Sequence, residues 1–323
     1  MLDVGRFWSG TSPEILADCE HRLLSHVGSA YKVYPVPVQI ESQLLCGPSN
    51  ESIHTFELKG GGLKFSTPVV LVHGFASALG TFVNLFRELK KCCHSVYAID
   101  LLGFGRSSKP VFPSDSFAAE GFFVDSIESW RIRMKLPAMV LCAHSFGAYI
   151  ATNYAQKFPA VVKGLILFEP WGFRCTELSQ RGWLHTFESA VNPLRLLKIA
   201  GPAAPFLMRL FTRELFQCTF AGIGKHDEMF MYLYHSNAQC TGDSGFMALK
   251  ELNYRAKRPL SLLGLQCSVT LIFGADSWIY ATVDLHALGE EAFIEIIPNA
   301  GHQLYAEQLD LFVCAVCKAM ERV

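Results

Sequence analysis

Short runs of apolar residues, many of them β-branched, recur along this 323-residue chain, and segments with helical spacing separate them. Continuous apolar runs are typical of strands covered on both faces, and their alternation with helices is typical of parallel sheets. The pattern predicts an α/β fold with a mostly parallel central sheet flanked by helices. The predicted strands are 68–75, 95–105, 138–145, 164–172, 268–276 and 292–302, and the predicted helices are 81–91, 118–135, 146–158 and 303–321.

Two regions depart from the alternation. Residues 31–42 and 52–60 precede the Gly60-Gly61-Gly62 turn, and they predict an antiparallel strand pair that leads into the sheet. Residues from about 175 to 262 are rich in Phe, Leu and Met and carry no strand pattern. We expect one domain, 1–323, in which this insertion forms a helical cap. Because open α/β sheets bind ligands at the carboxyl edge of the strands, an apolar cap there predicts an apolar substrate.

Composition excludes several classes of function. A net charge of −1 and a pI near 6.8 argue against nucleic acid as a partner. Eleven cysteines, an odd number, and a start without a basic or an apolar leader region predict free thiols in the cytoplasm. Since no stretch reaches the roughly 18 uninterrupted apolar residues of a membrane span, contact with lipid would be peripheral.

The segment A-H-S-F-G-A, residues 143–148, follows a predicted strand and begins a predicted helix. This strand–turn–helix context is typical of a turn that presents a serine nucleophile, with small residues two positions before and after the serine. Gly147 meets the second requirement, and Ala143 adds one methyl group at the first. We interpret Ser145 as a candidate nucleophile.

A serine nucleophile needs a base, and the base needs an acid that orients it. His302, in N-A-G-H-Q-L-Y, follows the last predicted strand and is the candidate base. Three acids are candidates: Asp276 at the end of the penultimate strand, which we rank first, Asp284 a little further on, and Glu169 at the end of an earlier strand.

Stabilisation of an oxyanion needs two backbone N–H donors. Phe146, directly after Ser145, would supply one, and Phe75, after V-L-V-H-G, would supply the other. The segment G-F-G-R-S-S, residues 103–108, lacks the third glycine of a dinucleotide loop. The sequence therefore predicts acyl-transfer chemistry without a cofactor or a metal.

Several longer motifs go beyond these elements. The chain resembles the abhydrolase-domain-containing 4/5 group of the α/β-hydrolases, from about residue 7 to its C-terminus. That group includes a lysophospholipase for N-acyl phospholipids and a lipid-droplet protein that activates triacylglycerol lipolysis. The resemblance implies an α/β-hydrolase fold and lipid substrates. It rests on DLLGFGRSSKP (100–110), SIESWR (126–131), LFEPWGF (167–173), LKIAGP (197–202), AKRP (256–259) and GHQLYAEQ (301–308).

The resemblance also bears on the nucleophile and the acid. The lipase branch of the group has serine at the nucleophile position, whereas the vertebrate coactivator has asparagine, so Ser145 favours hydrolysis. Ala143 replaces the group's glycine, and Tyr280 stands where the group usually has an aspartate. The second departure moves the acid assignment toward Asp276.

The group's H-x-x-x-x-D motif, linked to lysophosphatidate acyltransferase activity, has its counterpart in His302 and Glu307. Glu307 also suits the first turn of a helix, where the macrodipole favours a negative charge. Of the group's N-terminal aromatic anchor only Phe7 and Trp8 remain, followed by a helix start at T-S-P-E. Two aromatic residues predict weak attachment to lipid droplets or membranes.

The main hypothesis is therefore a lipid acyl-ester hydrolase of the lysophospholipase or lipase type, acting through a Ser-His-Asp triad. Two alternatives remain open. The protein could be a coactivator that binds a triacylglycerol lipase on droplets, or it could transfer acyl groups to lysophosphatidate.

Overall fold

A computed structural model describes residues 10–40, 51–62, 64–174, 192–206, 226–251, 255–285 and 292–323. Within these ranges, eight strands form one sheet in the order β1-β2-β4-β3-β5-β6-β7-β8. The strands are β1 (Lys32–Val38), β2 (Glu51–Lys59), β3 (Val69–Val72), β4 (Ser95–Ile99), β5 (Met139–His144), β6 (Val162–Phe168), β7 (Ser268–Gly274) and β8 (Phe293–Ile297). The helices are α1 (Pro13–Ser25), α2 (Val83–Leu89), α3 (Ser116–Arg133), α4 (Phe146–Lys157), α5 (Pro193–Ile199), α6 (His226–Ala238), α7 (Gly242–Leu249), α8 (Leu304–Glu307) and α9 (Leu309–Met320).

Strands β1 and β2 pair antiparallel, as do β2 and β4, whereas all other neighbours pair parallel. This topology confirms the predicted fold class and the antiparallel lead-in. It also brings the carboxyl ends of β3, β5, β6, β7 and β8 to one edge of the sheet. The candidate catalytic residues follow these ends.

The central strands are buried on both faces, which explains their continuous apolar sequence. Side chains of β3 alternate between two core clusters: Val70 and Val72 pack in one, and Val69 and Leu71 pack in the other. Helices α3, α4 and α7 contribute to the first cluster, and α1, α2, α6 and α9 contribute to the second. The sheet that carries the site is therefore rigidly held between two layers.

Helix α1 begins where T-S-P-E predicts it. The Ser12 hydroxyl accepts a hydrogen bond from Ile15 N at 3.3 Å, and Pro13 occupies the first helical position. Phe7 and Trp8, the two aromatic residues predicted to contact lipid, lie outside the described residues.

The predicted cap insertion, 175–262, lies between β6 and β7. Its described parts contain α5, α6 and α7. Residues 175–191, 207–225 and 252–254 of this segment lie outside the described residues. In the described part of the chain, no helix has the length and apolar character needed to cross a membrane.

Candidate active site

Ser145 occupies a sharp turn between β5 and α4. Its backbone has φ 49° and ψ −115°, in the left-handed half of conformational space that a non-glycine residue rarely adopts. The strand side of the turn is held by Ser145 N, which donates to Phe168 O at 3.1 Å. On the helix side, Ala148 N donates to Ser145 O at 3.0 Å. This is the strained conformation that the A-H-S-F-G-A motif predicts.

The two small residues beside Ser145 have different spatial requirements. A Cβ atom at Gly147 would lie 2.4 Å from His73 O and 2.7 Å from Val72 O, so this position admits only glycine. The methyl group of Ala143 is fully buried in the core, where β5 pairs with β3 and β6. The alanine is therefore compatible with the nucleophile turn, whereas a side chain at residue 147 would push β3 away from α4.

His302 follows β8 and lies beside Glu169, at the end of β6. Its Nδ1 atom is 3.2 Å from Glu169 Oε2. An ionised carboxylate can only accept, so Nδ1–H donates and Nε2 is left with the lone pair that a general base needs. The Glu169 side chain is fully buried, and that of His302 is 22% exposed. Solvent can thus reach the candidate base, while its carboxylate partner is shielded.

The buried Glu169 carboxylate has three donors. Besides His302, Gly274 N donates to Oε1 at 2.6 Å, and Ser277 Oγ donates to Oε2. A positive φ of 51° at Glu169 turns the chain at the end of β6, so the strand ends at Phe168 instead of the predicted 172. These contacts satisfy a polar group whose burial would otherwise be costly.

The other two candidate acids occupy the loop after β7. The Asp276 side chain is exposed, and its backbone N–H donates to Ala300 O at 2.9 Å. Asp284 is half-buried, and its backbone N–H donates to Arg174 O at 3.1 Å. Among the described residues, His302 Nδ1–H donates to Glu169 and not to Asp276. The partner of His302 is therefore an acid that we ranked below Asp276.

His73 organises the turn before Phe75. Its Nδ1–H donates to Gly74 O at 2.8 Å, and its Nε2 accepts from Leu101 N at 3.0 Å. These contacts require the neutral imidazole, and complete burial lowers the pKa of His73. His73 is therefore committed to the backbone and is not a second base.

The two predicted oxyanion donors lie on either side of the nucleophile. Phe146 is the first residue of α4, where backbone N–H groups have no partner within the helix. Phe75 precedes Ala76, which adopts a φ of 57°. A Cβ atom at Gly74 would lie 3.1 Å from Ser145 Cβ, so the turn that carries Phe75 approaches the serine closely. Both residues therefore lie near the turn that carries Ser145, and their role as oxyanion donors stays a prediction.

Helix α6 supports that same turn. Asn237 Nδ2 donates to Ala76 O at 2.9 Å, and Tyr232 Oη accepts from Gly80 N at 3.0 Å. Neither residue belongs to a recognisable motif, so sequence reasoning did not identify them. Each contact joins residues more than 150 positions apart in the chain, so no local sequence pattern reveals it.

Four aromatic rings pack together beside the turn; we call Phe75, Phe146, Trp171 and Phe246 the aromatic cluster. The Phe246 ring of α7 lies 4.3 Å from that of Phe75, 5.0 Å from that of Phe146 and 4.9 Å from that of Trp171, between centroids. The side chains next to the predicted oxyanion donors are therefore apolar and contact the cap.

His144 and Glu307 both contact the segment around His302. His144 Nε2 lies 2.9 Å from His302 O, and the Glu307 carboxylate accepts from Gly301 N and Gln303 N. Burial, and then the nearby His302, lowers the pKa of His144 well below its usual value. The described contacts of Glu307 are to backbone N–H groups, as its position in a first helical turn suggests.

The chain is similar to known proteins over most of its length. Residues 67–307 match the family described as alpha/beta hydrolase fold. The (lyso)-N-acylphosphatidylethanolamine lipase of Homo sapiens is 37% identical over 268 residues, which cover 77% of this chain and 78% of the relative. The 1-acylglycerol-3-phosphate O-acyltransferase ABHD5 of Homo sapiens is 34% identical over 321 residues, which cover 94% and 88%. These matches confirm the resemblance inferred from the motifs.

Among solved structures, a bacterial membrane phospholipase A superposes with a TM-score of 0.69 at 21% identity, covering 95% of this chain and 91% of that chain. The carboxylesterase CesB of Bacillus subtilis superposes with a TM-score of 0.65 at 14% identity, covering 95% and 98%. At these identities the likeness shows a common fold.

Proposed function

The chain belongs to the alpha/beta hydrolase fold family, and we propose that it hydrolyses acyl esters of lipids through Ser145, His302 and Glu169. One observation carries the proposal: Ser145 sits in the strained turn after β5, and the residue before it is hydrogen-bonded to His302, which in turn contacts a buried carboxylate. These contacts support a serine–imidazole–carboxylate triad at the carboxyl edge of the sheet.

In the proposed reaction, Ser145 Oγ attacks the ester carbonyl while His302 Nε2 takes the hydroxyl proton. Glu169 accepts from His302 Nδ1–H, fixes the tautomer and stabilises the imidazolium. The N–H groups of Phe75 and Phe146 bind the oxyanion. The imidazolium then protonates the leaving alcohol. Water attacks the acyl-enzyme with His302 as base, which releases the fatty acid and restores the serine.

Glu169 takes the role for which Asp276 ranked first in the sequence. Three observations support this choice: the contact with His302, the complete burial of the carboxylate, and the two further donors that fix its orientation. The exposed side chain of Asp276 offers none of them.

Two observations support a lipid substrate. The lipase and the acyltransferase among the relatives are named for glycerolipid substrates. The aromatic cluster places apolar surface next to the predicted oxyanion donors, where an acyl chain would lie. We propose that the protein meets its substrate peripherally, at a membrane or droplet surface in the cytoplasm. Binding to a triacylglycerol lipase remains a prediction.

Acyl transfer is the second candidate, favoured by the 34% identity to the acyltransferase. It would use the same acyl-enzyme, with the hydroxyl of lysophosphatidate attacking in place of water. Incubation with a labelled acyl ester and lysophosphatidate distinguishes the two: hydrolysis yields labelled fatty acid, whereas transfer yields labelled phosphatidate.

A fluorophosphonate probe tests the proposal directly. The folded wild type should be labelled, and Ser145→Ala should not be. Turnover of a lysophospholipid by Ser145→Ala should fall on the order of 10⁴-fold or more, because the three residues act as a unit. A folded wild type that resists the probe and leaves acyl esters intact would refute the hydrolase assignment.

A further inference from the structure

The segment around His302 is held by side chains from two other positions. His302 lies between the end of β8 and the start of α8. Around it, the N–H of Gly301, the carbonyl of His302 and the N–H of Gln303 each bind a side chain. Glu307 binds both N–H groups, the second at 3.1 Å, and His144 binds the carbonyl at 2.9 Å. The backbone on both sides of the base is thereby fixed.

Glu307 reaches back over the start of its own helix. Gln303 is the N-cap of α8, and Glu307, four positions later, accepts from its N–H. The contact is similar to that of a capping-box glutamate, which stands one position earlier in the helix. Here the second carboxylate oxygen extends the contact to Gly301. A Cβ atom at Gly301 would lie 3.3 Å and 3.4 Å from the two carboxylate oxygens, so the carboxylate packs directly against this glycine. Two charge-assisted hydrogen bonds thus hold the short loop from Gly301 to Gln303.

His144 fixes the same loop from the nucleophile side. Its ring stacks on Phe168 at 5.3 Å and meets the edge of Tyr305 at 5.2 Å between centroids. A carbonyl oxygen can only accept, so Nε2 carries the proton that His144 gives to His302 O. Since His144 immediately precedes Ser145, this one hydrogen bond links the nucleophile turn to the base.

We propose that Glu307 and His144 are positioning residues that set the place of His302 relative to Ser145. The inference rests on the proposed roles of Ser145 and His302. Neither residue touches the reacting atoms; each acts through the backbone of the base. We call these contacts of Glu307 and His144 with the His302 loop the clamp. A displacement of about 1 Å at a catalytic group can lower the rate about 10²-fold, so loss of the clamp should have a measurable effect on kcat.

This role differs from the acyltransferase activity to which H-x-x-x-x-D is linked in the group that the chain resembles. Both carboxylate oxygens of Glu307 are occupied by backbone N–H groups. For the carboxylate to reach a substrate, both bonds would have to break, and the loop carrying His302 would be released. In this chain the His302–Glu307 spacing therefore serves the geometry of the base.

The test compares Glu307→Ala and Glu307→Gln with Asp310→Ala, an exposed acid at the start of α9 that serves as matched control. Fluorophosphonate titration counts the active sites, and kcat is expressed per titrated site. We expect Glu307→Ala to lower kcat about 10- to 100-fold with KM within about twofold. Glu307→Gln, which keeps one acceptor oxygen, should recover part of the loss, and Asp310→Ala should match wild type.

A merely structural role would lower the number of titrated sites and leave kcat per site unchanged; that result would overturn the proposal. The His144 half is tested by His144→Phe, which keeps an aromatic ring and removes the donor. We expect kcat per site to fall about tenfold, and an unchanged value would restrict the clamp to Glu307 and overturn the inference for His144.

Hydrogen exchange separates this inference from the proposed function. The amides of Gly301 and Gln303 should be protected in wild type and exchange faster in Glu307→Ala. If a folded wild type failed to react with the probe, the hydrolase proposal would fall. The exchange experiment would still decide whether Glu307 holds the loop, and equal exchange in both proteins would overturn the clamp itself.

Discussion

Two buried carboxylates among the described residues each contact a histidine, and we propose a catalytic role for only one of the pairs. Glu20 Oε1 lies 2.8 Å from His54 Nε2, and Glu169 Oε2 lies 3.2 Å from His302 Nδ1. Their third partners differ: Arg106 Nη1 lies 2.7 Å from Glu20, whereas backbone and hydroxyl donors complete Glu169. The His54 side chain is 4% exposed, and that of His302 is 22% exposed.

The difference shows that a histidine–carboxylate contact is not itself a catalytic feature. In the Glu20–His54 pair, an arginine cation supplies the opposite charge, and the pair joins α1, β2 and the loop after β4. In the Glu169–His302 pair, the carboxylate has no cation beside it in the described contacts, and the histidine carbonyl is hydrogen-bonded to His144, the residue before the strained Ser145. Solvent access and a neighbouring candidate nucleophile distinguish the second pair.

The sharpest way to break the comparison is Glu169→Gln. We expect kcat to fall on the order of 10³- to 10⁴-fold. The amide keeps one acceptor oxygen, and if that oxygen accepts from Gly274 N, the NH2 group faces His302 Nδ1 and no longer fixes the tautomer. Stability should fall by about 1–3 kcal/mol, since one of the buried donors loses its partner. Steady-state kinetics on a lysophospholipid and urea unfolding measure the two effects.

The matched controls are Asp276→Asn and Asp284→Asn. Both should retain kcat within about twofold of wild type. If either variant lost kcat on the order of 10³-fold while Glu169→Gln stayed active, the triad acid would lie in the loop after β7.

Glu20→Gln should show the opposite profile. The variant leaves Arg106 and His54 without their anion, so the free energy of unfolding should drop, by somewhat less than the 3–5 kcal/mol roughly typical of a broken buried ion pair because Arg106 is partly solvated. The kcat per titrated site should stay within about twofold of wild type. A specific loss of kcat at full folding would contradict the distinction between the two pairs.

The pH dependence of the free energy of unfolding gives a further test of the Glu20–His54 pair. Burial alone would raise the pKa of Glu20, but the charges and hydrogen bonds of His54 and Arg106 together hold it below its usual value. As pH falls, the unfolded chain therefore takes up this proton before the folded one, and stability declines below about pH 4.5. In Glu20→Gln this component is absent, so unfolding free energies measured from pH 6 to pH 3 should converge with those of wild type. Parallel curves would contradict the assignment.

The smallest effect is expected from Ala143→Gly, which restores the usual glycine of the nucleophile turn and touches neither pair. The methyl group is fully buried, and its removal adds backbone freedom to β5, so stability should fall by about 1 kcal/mol. Lysophospholipid turnover should stay within a few-fold of wild type. A large gain in kcat would mean that Ala143 strains the site.

Much of the fold could be predicted because its signals are local. The apolar runs predicted the strands that follow Gly62 to within a few residues at most ends, and the serine turn carried its small-residue pattern in six consecutive letters. Gly147 illustrates why: the close approach of α4 to His73 O demands a glycine, and the demand is visible in the sequence.

The acid could not be chosen in the same way. Asp276 and Glu169 both follow the end of a strand, and ranking by position along the chain placed Asp276 first. The choice depends on a turn with positive φ at Glu169 and on partners 105 to 133 residues away. Likewise, the position of Glu307 suggested a helix start, whereas its contact with Gly301 depends on the conformation of the loop.

The hydrogen bonds from α6 to the turn after β3 bear on how this protein could be re-engineered. Asn237 and Tyr232 bind the turn after β3 that carries Phe75, so part of the support for this turn is encoded in the inserted segment. A chimera that exchanged this insertion for that of a relative would remove these two supports of the turn together with the predicted cap. Modular grafting between family members would therefore have to transfer these two contacts together with the surface that it intends to replace.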